Sequence, residues 1–303
     1  MKNALNYYYE LYPTNIHQVN KKYKFCIIEK CYILYEFRKN LKEIEELYDL
    51  YVYIKSLNIQ CHDIVLNKAN NITTTINGIP YILLIERIKN KKIEINDLQY
   101  LSTIPIINKK YIYIQRDNWM KLWSSKIDYI EYQISQFGKE YKTIRESSDY
   151  YIGIVENCIQ LLNECNTRNI NRAISHNRIN DELTTEELYN PLGFIIDNRI
   201  RDMSEYIKSK IEKNNIDTIN ILRNYIHTNK LNSDEINLMF IRILYPSSYL
   251  DKCEQIFKKT AKEKELLTVI NNSIRYEQNI KKIYMYLKKI CYIPDIEWLL
   301  KRN

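Results

Sequence analysis

The spacing of hydrophobic and polar positions along the chain changes near residue 87. Before it, runs of aromatic and β-branched residues have the length of strands, and residues 25–28 and 32–35 predict an antiparallel pair. After this pair, apolar side chains recur at helical spacing from Leu41 onwards, and Asn40 is placed to cap that helix. The chain therefore begins with strands and then forms one helix.

A second group of strand signals follows this helix. Residues 63–66 and 73–76 predict a strand pair, which turns at Asn77-Gly78 into a third strand over residues 81–85. The Asn-Gly dipeptide is typical of two-residue hairpin turns, because both turn positions require positive φ. Strands connected in this way form an antiparallel sheet.

After residue 87, helical periodicity replaces the strand signals. Two predicted helices have apolar faces, one formed by Trp119, Trp123, Ile127, Ile130 and Ile134, the other by Tyr151, Ile154, Val155, Cys158, Ile159 and Leu162. Further helices are predicted over residues 202–213, 216–228, 233–245, 249–271 and 273–291. Strands followed by helices are typical of the α+β class. We predict a small antiparallel-sheet N-lobe with one helix, residues 1–87, and a larger α-helical C-lobe, residues 88–303.

The chain has 303 residues, which is long enough for two such lobes. Its longest apolar stretch, residues 79–85, contains Pro80 and is far shorter than the ~20 residues of a membrane-spanning helix. The first residues lack the apolar segment of a secretory signal. We therefore expect a cytoplasmic protein without a membrane span.

The seven cysteines, at positions 26, 31, 61, 158, 165, 253 and 291, form no C-x-x-C pair. Most have apolar neighbours, so they predict buried, reduced thiols and not a metal site. The net charge of +8 could attract nucleic acid, but the abundance of Ile, Asn, Lys and Tyr reflects A- and T-rich codons. The sequence also lacks a recognised aromatic-basic RNA-binding motif, which argues against a nucleic-acid partner.

Three segments of the second lobe resemble the protein-kinase-like superfamily, which includes the aminoglycoside phosphotransferases. Residues 172–178 resemble the strand that enters its catalytic loop. Residues 194–197 resemble the strand that ends in its metal-binding Asp, and residues 201–206 resemble the helix that follows. The resemblance implies the bilobal protein-kinase-like fold.

A closer resemblance is to the CotS-like spore coat family of spore-forming Firmicutes, which includes kinase-like proteins. The Trp119-x-x-x-Trp123 pair, the helix over residues 127–136 and the Leu244-Tyr245-Pro246 segment resemble this family. The resemblance extends over nearly the whole chain. It implies a role in sporulation or the spore coat.

The groups that hold ATP in active kinases are missing from the first lobe. A glycine-rich loop between the first two strands lets backbone N–H groups approach the phosphates, but no glycine precedes Gly78. The first hairpin turn is instead expected at residues 28–31. The next strand, residues 32–37, has no lysine for the α- and β-phosphates. Arg38 and Lys39 follow this strand, and the next helix carries Glu43, Glu45 and Glu46. These charges predict either a displaced ion pair or, as the simpler interpretation, a solvated charged face.

The catalytic loop H-x-D-x-x-x-x-N of the superfamily is altered as well. His176 matches its histidine, usually a packed structural group, but Arg178 replaces the catalytic Asp and Leu183 replaces the metal-binding Asn. A guanidinium stays protonated at physiological pH and cannot act as a base. Asp181 is a candidate for a relocated base, although the simpler interpretation is a solvated loop carboxylate.

Asp197 is the best preserved of the positions that the resemblance identifies. Two roles remain open for it: a ligand of Mg²⁺, or a carboxylate that accepts hydrogen bonds from a tight turn. The long cationic side chain of Arg178 predicts an ion pair with Asp197 in the place of the metal. Asp202 and Glu205, three residues apart, predict a helix capping box.

The resemblance and the missing groups together predict a pseudokinase, a catalytically degenerate kinase-like protein with a structural or interaction role in sporulation or the spore coat. We expect protein partners, including spore coat components, no cofactor, and assembly onto the spore surface. The alternative is a degenerate ATP-dependent small-molecule phosphotransferase that uses Mg-ATP, with Asp197 for Mg²⁺ and Asp181 as base. Losing several groups that act together leaves little transition-state stabilisation, which favours the pseudokinase.

Overall fold

The computed structural model describes residues 1–104, 106, 111–165, 170–213 and 217–301, in two compact units. The first unit consists of Met1–Glu94, Ile107–Gln115 and Glu182–Ile196, and the second of Ile95–Ile106, Arg116–Asp181 and Asp197–Asn303. Each unit is assembled from segments that are distant in sequence. The linear boundary between residues 87 and 88 stays a prediction.

The first unit contains a sheet of six strands within its described residues: β1 His17–Val19, β2 Lys22–Ile27, β3 Lys30–Glu36, β4 Asp63–Val65, β5 Thr74–Ile76 and β6 Ile79–Ile85. Their order is β1-β2-β3-β6-β4, β5 also pairs with β6, and all pairs are antiparallel. The hairpin turn at Asn77-Gly78 is confirmed. The predicted pairing of the strands before it is wrong, because β4 and β5 each pair with β6 and not with each other.

Strands β2 and β3 connect through the two-residue turn of Ile28 and Glu29. Ile28 has a φ of 55°, which is unusual for a β-branched residue, and its side chain is almost fully exposed. The turn makes Cys26 and Cys31 direct partners, with Cα atoms 4.1 Å apart, and they form a disulfide. The prediction of reduced thiols is therefore wrong for this pair.

Among the free cysteines, Cys61, Cys158 and Cys253 are buried, as predicted, whereas Cys165 and Cys291 are only partly buried. Burial raises the pKa of Cys61 and of Cys253 to about 12. A thiol with such a pKa is a poor nucleophile at neutral pH, because the reactive form is the thiolate. These buried cysteines therefore act as small apolar side chains.

Thirteen α-helices lie in the described ranges: α1 Lys2–Tyr9, α2 Leu41–Ser56, α3 Ile95–Ser102, α4 Trp119–Phe137, α5 Lys142–Glu164, α6 Thr185–Leu188, α7 Arg201–Glu212, α8 Thr218–Thr228, α9 Ser233–Leu244, α10 Ser247–Phe257, α11 Leu266–Asn271, α12 Ser273–Leu287 and α13 Glu297–Lys301. The same ranges contain two short 3₁₀ helices, Pro191–Gly193 and Glu263–Glu265. None of these helices is long and apolar enough to cross a membrane.

Helix α2 follows the prediction closely. The Asn40 side chain accepts a hydrogen bond from the Lys42 amide at 3.0 Å and caps the helix. Of the predicted apolar face, Ile44, Leu47 and Leu50 are buried, Tyr51 is partly buried and Leu41 is exposed. A separate cluster of buried side chains on the sheet includes Leu5 of the unpredicted helix α1.

The second unit is mainly helical, as predicted. Strand β7, Arg172–His176, lies in it, and strand β8, Phe194–Asn198, crosses the division between the units at residues 196 and 197. On α4, Trp119 stacks on Trp123 with ring centroids 5.5 Å apart, and Tyr245 stacks on Trp123 at 4.1 Å. The single helix predicted over residues 249–271 is wrong: α10 ends at Phe257, and a capping box at Lys262 begins a new helical segment.

Candidate functional site

Asp197 lies near the end of β8 and is fully buried. Its Oδ1 accepts hydrogen bonds from the Trp119 Nε1 at 2.9 Å and from the Asn198 backbone N–H at 2.7 Å. Its Oδ2 accepts from Trp119 Nε1 at 3.1 Å and from Arg201 Nη1. Both carboxylate oxygens are therefore occupied by donors of the protein itself.

Arg201 connects Asp197 to the loop that follows β7. It is the first residue of α7 and is buried, and it forms an ion pair with Asp197. Its Nε donates to the backbone oxygen of His176 at 3.1 Å, and its Nη2 donates to that of Asn177 at 3.4 Å. One guanidinium thus satisfies the carboxylate and two backbone oxygens at the start of the loop.

A second buried cation lies close to Asp197. The Arg242 guanidinium lies 4.8 Å from the Trp119 ring, and its Nε donates to Glu205 Oε1 at 2.6 Å. Burial raises the pKa of Asp197, while Arg201, Arg242 and the Trp119 N–H act in the opposite direction. The surroundings of Asp197 are therefore rich in positive charge and closed to water.

Arg178 does not contact this carboxylate, and the predicted ion pair between Arg178 and Asp197 is wrong. The Arg178 side chain is 72% exposed, and its Nη2 pairs with Asp251 Oδ2 at 2.8 Å. Arg201, four residues after Asp197, reaches the carboxylate from the first turn of α7 instead. The structure thus supplies a cation, but from a position that the loop motif does not identify.

His176, the last residue of β7, is buried against Asp202. Its backbone N–H donates to Asp202 Oδ1 at 3.0 Å, and its Nδ1 lies 2.6 Å from Asp202 Oδ2. Asp202 therefore holds both the backbone and the ring of the histidine. It is the second residue of α7 and not its cap, so the predicted capping box with Glu205 is wrong.

Asp181, the candidate relocated base, is buried in the second unit. Lys213 Nζ lies 2.7 Å from its Oδ1, and Lys210 Nζ lies 3.5 Å from its Oδ2. Its backbone N–H donates to Ser209 Oγ at 3.0 Å. The carboxylate is ion-paired to the end of α7, so the solvated-loop interpretation is wrong. Its role as a base stays a prediction.

The first unit contains a buried carboxylate that the sequence did not identify. Glu186 of α6 has a side chain only 2% exposed, and Lys22 Nζ lies 2.8 Å from its Oε1. Lys24, on the same face of β2, pairs with its Oε2, and Tyr35 Oη donates to Oε1 at 3.4 Å. Burial raises the pKa of Glu186, but the two lysines outweigh that effect and lower it below its usual value.

Two glutamates of α2 contact other parts of the first unit. Glu43 pairs with Lys39 at 2.7 Å, which is the displaced ion pair that the sequence left open. Glu46 accepts hydrogen bonds from the backbone N–H groups of Ile112, Tyr113 and Ile114 at 2.8 to 3.1 Å. Both carboxylates therefore stabilise local structure.

Within the described residues, no group of three His, Cys, Asp or Glu side chains is arranged to hold a metal ion.

Several solved kinase structures share this fold. An aminoglycoside phosphotransferase from Alicyclobacillus acidocaldarius superposes with a TM-score of 0.66 at 8% identity, over 92% of this chain and 93% of that chain. Spectinomycin phosphotransferase APH(9)-Ia, in complex with ADP and spectinomycin, superposes with a TM-score of 0.57 at 11% identity, over 95% of this chain and 98% of that chain. The predicted fold class, a protein-kinase-like fold with an antiparallel sheet and a larger helical part, is confirmed.

The sequence relatives identify the family within this fold. The family model described as "Spore coat putative kinase YutH" matches residues 2–283, and the chain belongs to this family. The Endospore coat-associated protein YutH of Bacillus subtilis (strain 168) is 26% identical over 208 residues. That match covers 60% of this chain and spans 61% of the length of the relative. The predicted resemblance to a spore coat family of the kinase-like superfamily is confirmed.

Proposed function

We propose that this chain is a catalytically degenerate kinase-like protein with a structural or interaction role in the spore coat. The observation that carries the proposal is the environment of Asp197, whose two oxygens are occupied by Arg201 and Trp119. Mg²⁺ requires oxygen ligands in near-octahedral geometry and usually keeps several waters. A fully buried carboxylate bound to a guanidinium does not fit that requirement.

The first unit supports the same proposal. Lys22 and Lys24 are the basic residues of β2, and both are ion-paired with Glu186. The turn after β2 contains Ile28 and Glu29, so it lacks the glycines that let backbone N–H groups approach phosphates. The residues present therefore do not fit Mg-ATP, and we derive no phosphoryl transfer through them.

The proposed partners are proteins, among them components of the spore coat. The relative from Bacillus subtilis is named an endospore coat-associated protein, and its match spans less than two thirds of its length. We extend that association to this chain as part of the proposal, with the spore surface as the place of assembly. A cofactor is not part of the proposed role.

The nucleotide arm of the test is a thermal melt of the full chain with Mg-ATP up to millimolar concentration. A ligand at a hundred times its Kd stabilises a fold by ~2.7 kcal/mol, enough to raise Tm by a few degrees. We expect Tm to stay constant. Mg²⁺ alone and ATP with EDTA serve as controls. A saturable rise in Tm that requires both Mg²⁺ and ATP would support the phosphotransferase instead.

The functional arm separates coat assembly from catalysis. The alternative assigns the base to Asp181, so Asp181→Asn would abolish a phosphotransferase. In a spore-forming host that lacks its own copy of the gene, we expect wild type and Asp181→Asn to associate with the spore coat equally. Fractionation of purified spores, with an antibody against a tag on the chain, measures this. Loss of coat association in a folded Asp181→Asn variant contradicts the proposed role.

A further inference from the structure

A cavity of about 250 Å³ lies within the second unit. Its wall is formed by residues of α5, α10, α11 and α12, together with the end of α7 and Trp298 of α13. None of His176, Arg178, Asp181 and Asp197 is among its lining residues. The cavity is therefore separate from the positions that the kinase resemblance identifies.

The size and lining of the cavity indicate a small organic ligand. Cavities of ~150 Å³ hold benzene and drug-sized ligands need ~300 Å³ or more, so this volume suits one ring with a short substituent. Five aromatic side chains line the wall: Tyr150, Tyr151, Tyr249, Tyr276 and Trp298. Aliphatic side chains, including Ile154 and Ile280, complete it. Rings of this kind pack well against another ring.

One polar atom of the wall stands out. Tyr151 is 6% exposed, and within the described residues its Oη has no partner in hydrogen-bonding geometry. The neighbouring polar groups are satisfied: Tyr276 Oη donates to the Ile243 backbone oxygen at 2.7 Å, and Trp298 Nε1 donates to Asn157 Oδ1 at 2.7 Å. A buried hydroxyl without a partner is destabilising, and a ligand oxygen would satisfy it.

The position and protonation of Tyr151 make it a donor. Its ring stacks on Tyr249 with centroids 3.7 Å apart, and the Tyr249 hydroxyl bonds to Ser147 at 2.8 Å, so the Tyr151 ring is held in place. Burial raises the pKa of Tyr151 to about 12, although the nearby Ser273 hydroxyl, which does not meet the geometry of a hydrogen bond to it, lowers the pKa in part. The hydroxyl therefore keeps its proton at neutral pH. A ligand acceptor at this point would receive that proton in a hydrogen bond.

The charged groups of the wall favour a neutral ligand. Glu212 accepts a hydrogen bond from Ser248, and Glu277 accepts one from Tyr150. Lys213 and Arg275 also line the cavity, so two acids are balanced by two bases. A charged ligand would lose its hydration without an excess of opposite charge to replace it.

We propose that this cavity binds a small neutral ring compound whose carbonyl oxygen accepts a hydrogen bond from Tyr151. The aromatic walls bind the ring, and the single hydroxyl orients the oxygen. This site is independent of the proposed role in the spore coat, because it involves none of the residues on which that role depends.

A matched pair of probes tests the hydrogen bond. Acetophenone and α-methylstyrene have nearly the same shape, but only the first has an acceptor oxygen. Ligand-observed NMR titrations give Kd for each with wild type and Tyr151→Phe. We expect Tyr151→Phe to weaken the binding of acetophenone about 2- to 10-fold, which is the range of one hydrogen bond. The affinity for α-methylstyrene should stay unchanged or increase. Equal effects on both probes, or no saturable binding by wild type, would overturn the proposal.

A second pair of variants tests the location. Thr268 lines the cavity and is exposed at its edge, so Thr268→Trp should fill the cavity and abolish binding of both probes. Thr228, exposed at the end of α8, is not a lining residue, and Thr228→Trp should bind like wild type. Benzylamine and benzoate should bind more weakly than acetophenone. Wild-type affinity in a folded Thr268→Trp variant, or a preference for either charged probe, contradicts the proposal.

Discussion

Arg201 donates a hydrogen bond from Nη1 to Oδ2 of Asp197, the residue four positions before it, and both side chains are buried. The pair links the end of β8 to the first turn of α7. Arg201 also holds the backbone of His176, so one side chain joins three parts of the second unit. A cation of the protein thus binds the carboxylate that the resemblance assigns to a metal.

The first prediction concerns the removal of this cation. Arg201→Met keeps most of the side-chain length but leaves the buried Asp197 without its ion pair. Removing one partner of a buried pair typically costs about 3–5 kcal/mol, because the other charge stays buried and uncompensated. We expect a loss of this size in the free energy of unfolding, measured by urea denaturation at pH 7.

The matched control removes both charges. Asp197→Asn combined with Arg201→Met leaves no uncompensated charge, so this double variant should recover part of the stability lost by Arg201→Met alone. A single variant as stable as wild type, or a double variant that shows no recovery, would mean that the pair does not stabilise the fold.

The second prediction concerns the other donor to Asp197. Trp119→Phe keeps an aromatic ring in the core but removes the N–H that contacts both carboxylate oxygens. Hydrogen bonds to charged groups contribute about 1.5–3 kcal/mol, so we expect a loss of at least that order in urea denaturation. Trp123→Phe, on the same buried face of α4, controls for the loss of ring area. An equal loss in the two variants would assign the effect to packing.

The local elements of the fold could be predicted because each has its own periodicity. The runs of aromatic and β-branched residues in β2 and β3 and the apolar face of α4 are visible in short windows of sequence. Helix α1 was missed, since Leu5 is its one buried residue and its burial depends on the distant sheet. The break after Phe257 was missed because residues 258–265 contain neither glycine nor proline, the usual signals of a helix end.

The candidate site could be predicted only where a motif marks it. Asp197 and His176 follow from the strand and loop motifs, and both lie in the second unit. The choice of Arg178 as the cation was wrong, because its motif position says nothing about where a flexible side chain points. Arg201 could have been considered from its spacing of four residues from Asp197. No sequence motif marks Glu186 as a buried, ion-paired carboxylate, because its partners on β2 are more than 160 positions away.

The third prediction concerns the disulfide between Cys26 and Cys31. When the chain is unfolded without reductant, its five free thiols should react with Ellman's reagent. After the disulfide has been reduced, all seven cysteines should react. Closing so short a loop reduces the entropy of the unfolded chain, so the disulfide should contribute about 2 kcal/mol. The Cys26→Ser, Cys31→Ser double variant should lose that amount and become insensitive to reductant. Seven reactive thiols without reductant would contradict the cross-link.

The last prediction concerns Glu205, a mostly buried carboxylate of α7. Burial raises the pKa of Glu205, but Lys208 and Arg242 outweigh it and lower this pKa from 4.5 to about 2. Because the folded pKa lies below the unfolded one, the stabilisation is complete above about pH 4.5 and is lost as the pH falls towards 2. The difference between the unfolded and folded pKa of Glu205 corresponds to about 3 kcal/mol of unfolding free energy.

The variant Glu205→Gln isolates this contribution, because other carboxylates titrate equally in both proteins. At pH 7 the variant leaves Lys208 and Arg242 without their shared carboxylate, so we expect it to be less stable than wild type by about 3 kcal/mol. Urea denaturation at pH 7, 5, 4 and 3 should show this difference shrinking below pH 4.5, since a protonated Glu205 resembles glutamine. A difference that stays constant from pH 7 to pH 3 would show that the ionised carboxylate does not supply the stabilisation.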